Sequence, residues 1–247
     1  MNFAKLSLFI FIILIITFFS THAQESWNSI QSFTTSGVNP VCIGWAEKFL
    51  WVVDSSARKI FKINPADGSI ISSIESKAED AKAIAWDSTN FWVLDNKTKM
   101  ILSVNPATGD VINRIKAPSP DGEGYWSLEG LAWDGQNLWV AYYAGFSSSI
   151  CKVDPVNGKV IESFFSDSHP KGLATDGKKL WTINYNGEKF PATIDVRDIT
   201  KSGFDIVKSR KFIATIPIDK VKSIAFDGKN VWIIDLMKKN INKFKMK

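Results

Sequence analysis

Histidine and cysteine are scarce in this chain of 247 residues, which contains two of each. One of the histidines, His22, lies in an N-terminal apolar segment, so the rest of the chain has His169 alone. A zinc site built from several histidines, or from histidine and cysteine together, is therefore excluded. A Ser-His-Asp catalytic group would have to use His169, and nothing beyond a shared face places Ser147, Ser148 or Ser149 beside it.

Long apolar runs are limited to the N-terminus. Residues 6–19 are apolar apart from two hydroxyl residues, they follow a segment with a single lysine, and Thr21-His22-Ala23 offers small residues for a signal peptidase. The run is shorter than the ~20 residues of a membrane-spanning helix. We therefore predict a secretory signal at 1–23, a single domain at 24–247, and a secreted or periplasmic location. An uncleaved anchor is the alternative.

Helical periodicity is absent from the rest of the chain, and an eleven-residue phrase recurs instead. "GLAWDGQNLWV" begins at Gly130, and similar phrases begin at Ile43, Ile84, Gly172 and Ile224. Each unit alternates apolar and polar residues and is rich in β-branched ones, as strands are. The intervals between the recurring tryptophans match the length of four short strands with their turns. These intervals are 41, 47, 42 and 51 residues, between Trp51, Trp92, Trp139, Trp181 and Trp232.

Each unit is predicted to contain four strands, A to D, joined by tight turns. In the third unit, strands A and B flank Asp134-Gly135-Gln136-Asn137, and strands C and D flank Asp154-Pro155-Val156-Asn157-Gly158. These residue types begin turns or accept a positive φ. The aspartates of the A–B turns are therefore explained by turn chemistry.

The A–B hairpin places a small residue opposite each recurring tryptophan. With Trp133 opposite Leu138, Ala132 lies opposite Trp139, and a glycine or an alanine takes that place in the other units. One large ring over one small residue fills the ~10 Å gap between packed sheets. We therefore assign these tryptophans to the core rather than to a sugar-binding platform.

The fifth unit lacks a strand D, and the N-terminal segment resembles one. Ser29-Ile30-Gln31-Ser32-Phe33 matches the strand D segment Val160-Ile161-Glu162-Ser163-Phe164. A ring whose last sheet takes its outer strand from the N-terminus has no open edge between first and last blades. The sequence thus predicts an all-β fold, a five-bladed β-propeller with this 3+1 closure.

Cysteine placement and charge add two expectations. Cys42 and Cys151 fall in non-adjacent units, where Cα atoms are not expected within the ~7 Å of a disulfide, so we predict two buried thiols. Residues 201–247 carry twelve basic and four acidic side chains, without an aromatic or arginine cluster. We interpret them as a solvated surface and not as a nucleic-acid site. We also expect a monomer.

The D–A and B–C connections of all blades meet at one end of the central channel, which we call the channel mouth. The hairpin register predicts five pairs there, two of them with opposite charges worth ~0.2–1 kcal/mol each. The same ring of polar groups could instead bind a small ligand or a metal ion. The predicted pairs are Val41–Asp54, Lys82–Asp95, Glu129–Tyr142, Lys171–Asn184 and Lys222–Asp235.

The third unit departs most from the others, in two loops at the channel mouth. Residues 117–129 and 142–149 bring aromatic and acidic side chains to connections where strand packing does not require them. Such residues indicate recognition, although the longer loop could pack on Trp126 as its own small core. With two residues of the fourth unit, the predicted ligand-binding residues are Glu123, Trp126, Glu129, Tyr142, Tyr143, Phe146, His169 and Asn184.

Few residues suggest catalysis or metal binding. Glu129 is the candidate acid or base of an enzyme, in which case burial would raise its pKa. Asp95 and Asp235, with Glu129 and Asn184, offer oxygen ligands of the kind that calcium prefers, but no contiguous calcium loop is present. No other cofactor is predicted.

"GLAWDGQNLWVAYY", followed by "ICKVDPVNGKVIESF", resembles the blades of secreted bacterial YVTN, NHL and SMP-30-like propellers, over residues 24–247. That group implies a propeller fold and includes lactonases, lyases and binding proteins. The five units and "YYAGFSSSICKVDPVNGKV" are also similar to glutaminyl-peptide cyclotransferases. This second family implies a glutamate where Val140 stands and a glutamine where Glu129 stands.

Two functional hypotheses follow. In the first, a secreted or periplasmic propeller binds a small polar ligand or an extracytoplasmic protein through the channel mouth of units two to four. In the second, it is an enzyme on a small polar substrate, similar to a cyclotransferase or a metal-dependent lactonase. A deep pocket lined by Glu129, Asn184 and Asp235 would favour the enzyme, and a plugged channel under an aromatic rim would favour protein recognition.

Overall fold

The computed structural model describes residues 26–35, 37–120, 125–145, 147–166, 168–187, 190–218 and 220–246. These ranges contain twenty β-strands and one short α-helix. The strands form five antiparallel sheets of four strands, and the inner strand of each sheet contacts the inner strands of two other sheets, which closes a ring. The prediction of a five-bladed β-propeller is confirmed.

The blades are numbered along the chain, each from its inner to its outer strand. Blade one contains β2 (Cys42–Ala46), β3 (Phe49–Asp54), β4 (Lys59–Ile63) and β5 (Ile70–Glu75). Blade two contains β6 (Ala81–Trp86), β7 (Phe91–Asp95), β8 (Met100–Val104) and β9 (Val111–Lys116). Blade three contains β10 (Ser127–Trp133), β11 (Leu138–Ala144), β12 (Ser147–Val153) and β13 (Val160–Ser166). Blade four contains β14 (His169–Thr175), β15 (Lys179–Tyr185), β16 (Ala192–Asp198) and β17 (Lys211–Ile216), with helix α1 (Phe204–Lys208) between its last two strands. Blade five contains β18 (Val221–Phe226), β19 (Asn230–Asp235), β20 (Asn240–Lys245) and, from the N-terminal side, β1 (Ser29–Thr34).

The N-terminal strand β1 completes blade five, as the sequence predicts. It pairs antiparallel with β20, with Phe33 opposite Ile241. Just before it, Trp27 is buried between blades four and five, and its backbone N–H donates to the carbonyl of Thr215 at 3.1 Å. The N-terminal segment therefore links two blades and satisfies the edge of the last one.

The recurring tryptophans are core residues. Ala132 lies opposite Trp139 in blade three, and a glycine or an alanine lies opposite the corresponding tryptophan in each other blade, so this part of the predicted register is confirmed. All five indoles are at least 94% removed from solvent. Each ring fills the space between neighbouring sheets, which excludes these tryptophans as an exposed sugar platform.

An aspartate in the A–B turn holds the tryptophan of the same blade in three blades. In blade three, Asp134 Oδ1 accepts the backbone N–H groups of Gln136 and Asn137, at 2.9 and 2.7 Å. Its other oxygen, Oδ2, accepts the indole N–H of Trp139 at 2.8 Å. These contacts account for the aspartates without a functional role. The equivalent indole bonds join Trp92 to Asp87 and Trp232 to Asp227.

Blade one lacks this bond. Its A–B turn is Glu47-Lys48, with φ of 52° and 70°, and has no aspartate. The indole Nε1 of Trp51 is buried and has no hydrogen-bond partner among the described residues. A buried donor without an acceptor destabilises the folded state, so Trp51 and Trp139 differ in one interaction at equivalent positions.

The C–D turns pack on the outer strand of the preceding blade. Gly109 has a φ of +79°, and a Cβ added there would lie 2.6 Å from the carbonyl oxygen of Glu75 in blade one. Gly158 approaches Lys116 of blade two in the same way. Glycine is therefore favoured in these turns for two reasons: it adopts the left-handed conformation, and it has no Cβ that would clash with the preceding blade.

Both cysteines are buried free thiols, as predicted. Burial raises the pKa of each to about 12. Among the described residues, no helix is both long and apolar enough to cross a membrane. The predicted signal at 1–23 lies outside the described residues.

Candidate binding site at the channel mouth

The inner strands of four blades contain a β-bulge near the channel mouth. In blade two, Asp95 lies opposite Ala81 and Leu94 lies opposite Ala83, so Lys82 has no partner. Comparable shifts occur in blades three, four and five, and the four predicted pairs of blades two to five are therefore wrong. A bulge leaves a residue outside the ladder and redirects its side chain. The residues released in this way are Lys82, Glu129, Lys171 and, with Ser223 beside it, Lys222.

The four released side chains meet across the channel. Lys222 of blade five interacts electrostatically with Lys82, Glu129 and Lys171, which belong to blades two, three and four. Blades two and three are not neighbours of blade five in the ring, so these interactions cross the channel axis. These four side chains thus supply three ammonium groups and one carboxylate, and Asp80 adds a second carboxylate beside Lys82.

Glu129 is buried beside two basic residues. Its Oε1 accepts a hydrogen bond from Ser127 Oγ at 2.6 Å, and lies 3.1 Å from Lys171 Nζ and 3.8 Å from His169 Nε2. Burial alone would raise the pKa of Glu129, but His169, Lys171 and Ser127 lower it from 4.5 to about 2. The carboxylate is therefore charged at neutral pH, which is the opposite of what a catalytic acid requires.

Two of the predicted residues form an aromatic wall next to Glu129. The ring of His169 stacks on Tyr143, with centroids 3.9 Å apart, and contacts Tyr185 edge-on at 6.1 Å. Tyr143 lies in blade three and the other two rings lie in blade four. The wall therefore bridges the two blades at the channel mouth, with His169 and Tyr185 in place of the other aromatic residues of blade three.

Trp126 and Tyr142 lie in the interface between blades two and three. Their rings meet edge to face at 6.0 Å, and Lys99 Nζ lies 4.3 Å from the Trp126 ring centre. The same ammonium donates to the carbonyl oxygen of Trp126 and to Asn96 Oδ1. Trp126 thus packs against the core between blades two and three, whereas residues 121–124 of its loop lie outside the described residues. Tyr125, by contrast, is 80% exposed.

Asn184 is fully buried within blade four. Its Nδ2 donates to Asp195 Oδ2 at 2.9 Å, and Arg210 donates to the same oxygen through Nε at 2.9 Å and Nη2 at 2.7 Å. Asp195 and Arg210 were not among the predicted site residues. The signal for this cluster was present in strand β16, where Asp195 and Arg197 interrupt the apolar positions of "ATIDVRD".

Asp95 and Asp235 cap the B–C turns of their blades. Asp95 accepts backbone N–H groups of Glu79, Asp80 and Lys97, and the hydroxyl of Thr98. Asp235 accepts two backbone N–H groups in the same way. Within the described ranges, no three His, Cys, Asp or Glu side chains are grouped closely enough to hold a metal ion. The two remaining predicted residues, Glu123 and Phe146, lie outside the described residues.

Five aliphatic side chains close the channel below the mouth. They occupy the same position in each inner strand and are at most 4% exposed: Ile43, Ile84, Leu131, Leu173 and Ile224. They also line a cavity of about 90 Å³ that is bordered at the opposite face by Trp45, Trp86, Trp133 and Phe226. The aromatic rim therefore surrounds the end of the channel that carries the A–B turns, whereas the mouth is polar. The described residues form no deep pocket lined by Glu129, Asn184 and Asp235 together.

Comparison with known proteins supports the fold. The glutaminyl cyclase of Myxococcus xanthus is similar over 90% of this chain and 98% of its own, with a TM-score of 0.63 and 8% identity. A chain of the nidogen/laminin complex is similar over 84% of this chain and 76% of its own, with a TM-score of 0.57 and 14% identity. A chain of the mitotic checkpoint complex is similar over 90% and 96%, with a TM-score of 0.52 and 10% identity. At these identities the likeness concerns the fold alone and indicates no activity, and the class, a five-bladed propeller, follows from the five sheets.

No family model and no curated protein matches the sequence. The resemblance to the YVTN, NHL and SMP-30-like group accordingly stays a prediction. The likeness to a glutaminyl cyclase agrees at the level of the fold with the second family that the blades resemble.

Proposed function

We propose that the chain works outside the cytoplasm as a monomeric propeller that binds a small polar ligand at the channel mouth. The observation that carries this proposal is the convergence of Lys82, Glu129, Lys171 and Lys222 above a closed channel floor. Each of the four side chains comes from a separate β-bulge in its inner strand. A bulge interrupts the hydrogen-bond ladder, so a regular inner strand would form more of these bonds. The wall of Tyr143 and His169 borders the same space and offers flat apolar surface.

The contacts of Glu129 favour binding over catalysis. A general acid or base works best with a pKa near the operating pH, whereas ion pairing holds the pKa of Glu129 at about 2. An enzyme of the cyclotransferase or lactonase type would have to use other residues.

Amide NMR spectra of the ¹⁵N-labelled protein, with a library of small polar molecules of differing charge, test this proposal. Saturable shifts are expected at 81–83, 127–130, 169–172 and 221–223, the residues around the bulges. Shifts at the A–B turn face alone, or none with any molecule, would contradict it. If no small molecule binds but a protein partner shifts the amides of the mouth, the ligand of this site is a protein and not a small molecule.

A pair of variants tests whether a molecule binds in the mouth itself or whether a bulky substitution anywhere on the protein prevents binding. Val41 is the sequence equivalent of the four charged residues in blade one, where it packs against the core between blades one and two, and Val41→Trp adds bulk beside the mouth without changing its charge. Val156→Trp is the control, because Val156 is 78% exposed in a C–D turn on the opposite face. We expect Val41→Trp to abolish the shifts caused by a bound molecule and Val156→Trp to preserve them. Circular dichroism establishes that both variants are folded.

A further inference from the structure

We infer that the ligand is a small polyanion, carrying two or more carboxylate or phosphate groups, which the ammonium groups of Lys82, Lys171 and Lys222 bind together. This inference rests on the proposed function, because it assigns a ligand class to the same site. It follows from an imbalance between the basic and acidic groups that face the channel axis.

Positive charge at the mouth exceeds the negative charge that neutralises it. Lys82 pairs with Asp80 at 2.8 Å, and Lys171 pairs with Glu129 at 3.1 Å. Among the described residues, Lys222 Nζ has neither a hydrogen-bond acceptor nor an ion-pair partner. Three ammonium groups therefore share two carboxylates, and the third carries its charge in a half-buried position.

The surroundings of Lys222 disfavour its charge unless an anion is present. Burial lowers the pKa of Lys222, and the nearby ammonium groups of Lys82 and Lys171 lower it further, while Glu129 acts in the opposite direction. Burying a charged group without a partner is unfavourable. An anion among the three lysines would remove this cost by satisfying Lys222 directly and by screening the repulsion between the three cations.

The geometry selects a small ligand with more than one anionic group. The three lysines arise from blades two, four and five, and a ligand with several anionic groups can pair with each of them separately. Lysine is a point charge on a flexible stem, which suits several separate oxyanions better than one planar bidentate group. The aliphatic ring of Ile43, Ile84 and their equivalents closes the channel beneath, so the ligand has to lie at the mouth.

Isothermal titration calorimetry with citrate and with pyrophosphate tests the inference. The two probes distinguish carboxylate from phosphate recognition, and acetate is the singly charged comparison. We expect saturable binding of at least one polyanion, weakened as salt rises toward about 0.15 M because the groups are partly exposed. Acetate is expected to bind at least about tenfold more weakly, since it carries a single negative charge against three ammonium groups.

Lysine variants supply the matched controls. Lys222→Met is expected to weaken polyanion binding by about tenfold or more, the equivalent of one charged hydrogen bond, and Lys222→Arg is expected to retain most of it. Lys229→Met removes the same charge from an exposed A–B turn on the opposite face and should change binding less than about twofold, because it lies beyond the range of direct contact. Lys171→Met provides a second test if Lys222→Met fails to fold.

The outcomes separate the two proposals. If neither citrate nor pyrophosphate binds, or if Lys222→Met and Lys171→Met bind them as the unaltered protein does, the polyanion inference is wrong. Neutral or cationic molecules that still shift the amides of the mouth would then leave the proposed function intact. If no molecule of any charge affects the mouth, both proposals fail together.

Discussion

Replacing an indole with a phenyl ring should cost far more at Trp139 than at Trp51. Trp139 Nε1 donates to Asp134 Oδ2 at 2.8 Å, whereas Trp51 Nε1 is buried with no partner among the described residues. The two sites are otherwise similar. Each ring lies opposite a small residue, and each has a lysine Nζ near its face, at 5.5 Å for Trp139 and 5.3 Å for Trp51.

The expected difference follows from the hydrogen bond alone. Both substitutions lose the same ring volume, so the apolar part of the cost is comparable. Trp139→Phe also loses a hydrogen bond to a carboxylate, worth about 1.5–3 kcal/mol, while Trp51→Phe removes an unsatisfied donor that costs about 1–3 kcal/mol. The free energy of unfolding should therefore fall by about 2.5–6 kcal/mol more for Trp139→Phe.

Urea unfolding followed by circular dichroism measures this difference. A double-mutant cycle between Trp139→Phe and Asp134→Ala should show a coupling energy of about 1 kcal/mol or more, because the two side chains share the bond. Equal costs for Trp51→Phe and Trp139→Phe, or no coupling between Asp134 and Trp139, would refute the role assigned to the aspartate.

Three further predictions concern the turns, the mouth and the thiols. Gly109→Ala should destabilise the fold by about 1–3 kcal/mol more than Gly135→Ala. Both glycines have a positive φ, but only at Gly109 does a backbone oxygen lie 2.6 Å from the added Cβ. Equal melting temperatures of the two variants would contradict this. Glu129 has a lowered pKa, so its ionised form stabilises the fold above pH 4.5 and this contribution is lost as the pH falls toward 2. Glu129→Gln should therefore be less stable than the unaltered protein by about 3 kcal/mol at pH 7 and by little near pH 2. Denaturant titrations at several pH values measure this difference in stability. A difference that stays constant from pH 7 to pH 2 would count against the ion pairs of Glu129. Cys42 and Cys151 should resist a thiol reagent at pH 8 until the protein unfolds, because both are buried and have a pKa of about 12; rapid labelling of the native protein would show that the thiols are accessible.

Much of the fold could be predicted because its determinants repeat along the chain. The interval between Trp51 and Trp92 indicates the length of one blade, and the pairing of each tryptophan with a small residue sets the A–B register near the turn. The likeness of Ser29-Ile30-Gln31-Ser32-Phe33 to an outer strand predicts the closure, which pairs Phe33 with Ile241. These features depend on alternation and turn chemistry, both of which act between residues close in sequence.

The candidate site could be predicted only in part. Glu129, Tyr143 and His169 meet at the channel mouth as expected, but Asn184 is buried against Asp195 and Trp126 packs between blades two and three. The importance of Lys82 and Lys222 was missed as well, since both were paired with aspartates across the hairpin. Asn184 contacts Asp195 of the next strand, and Lys222 interacts with charged groups of three other blades.

The sequence by itself determined the number of blades, the outer strand of the last one and the place of each tryptophan, because a periodic pattern of side chains can satisfy only one arrangement of sheets. Tertiary structure alone decided the bulges. Asp54 follows Val41 at the same interval as Asp95 follows Lys82, yet only the second hairpin shifts its register. Where each inner strand bends depends on its fit to two neighbouring blades, and that fit exists only once the ring has closed.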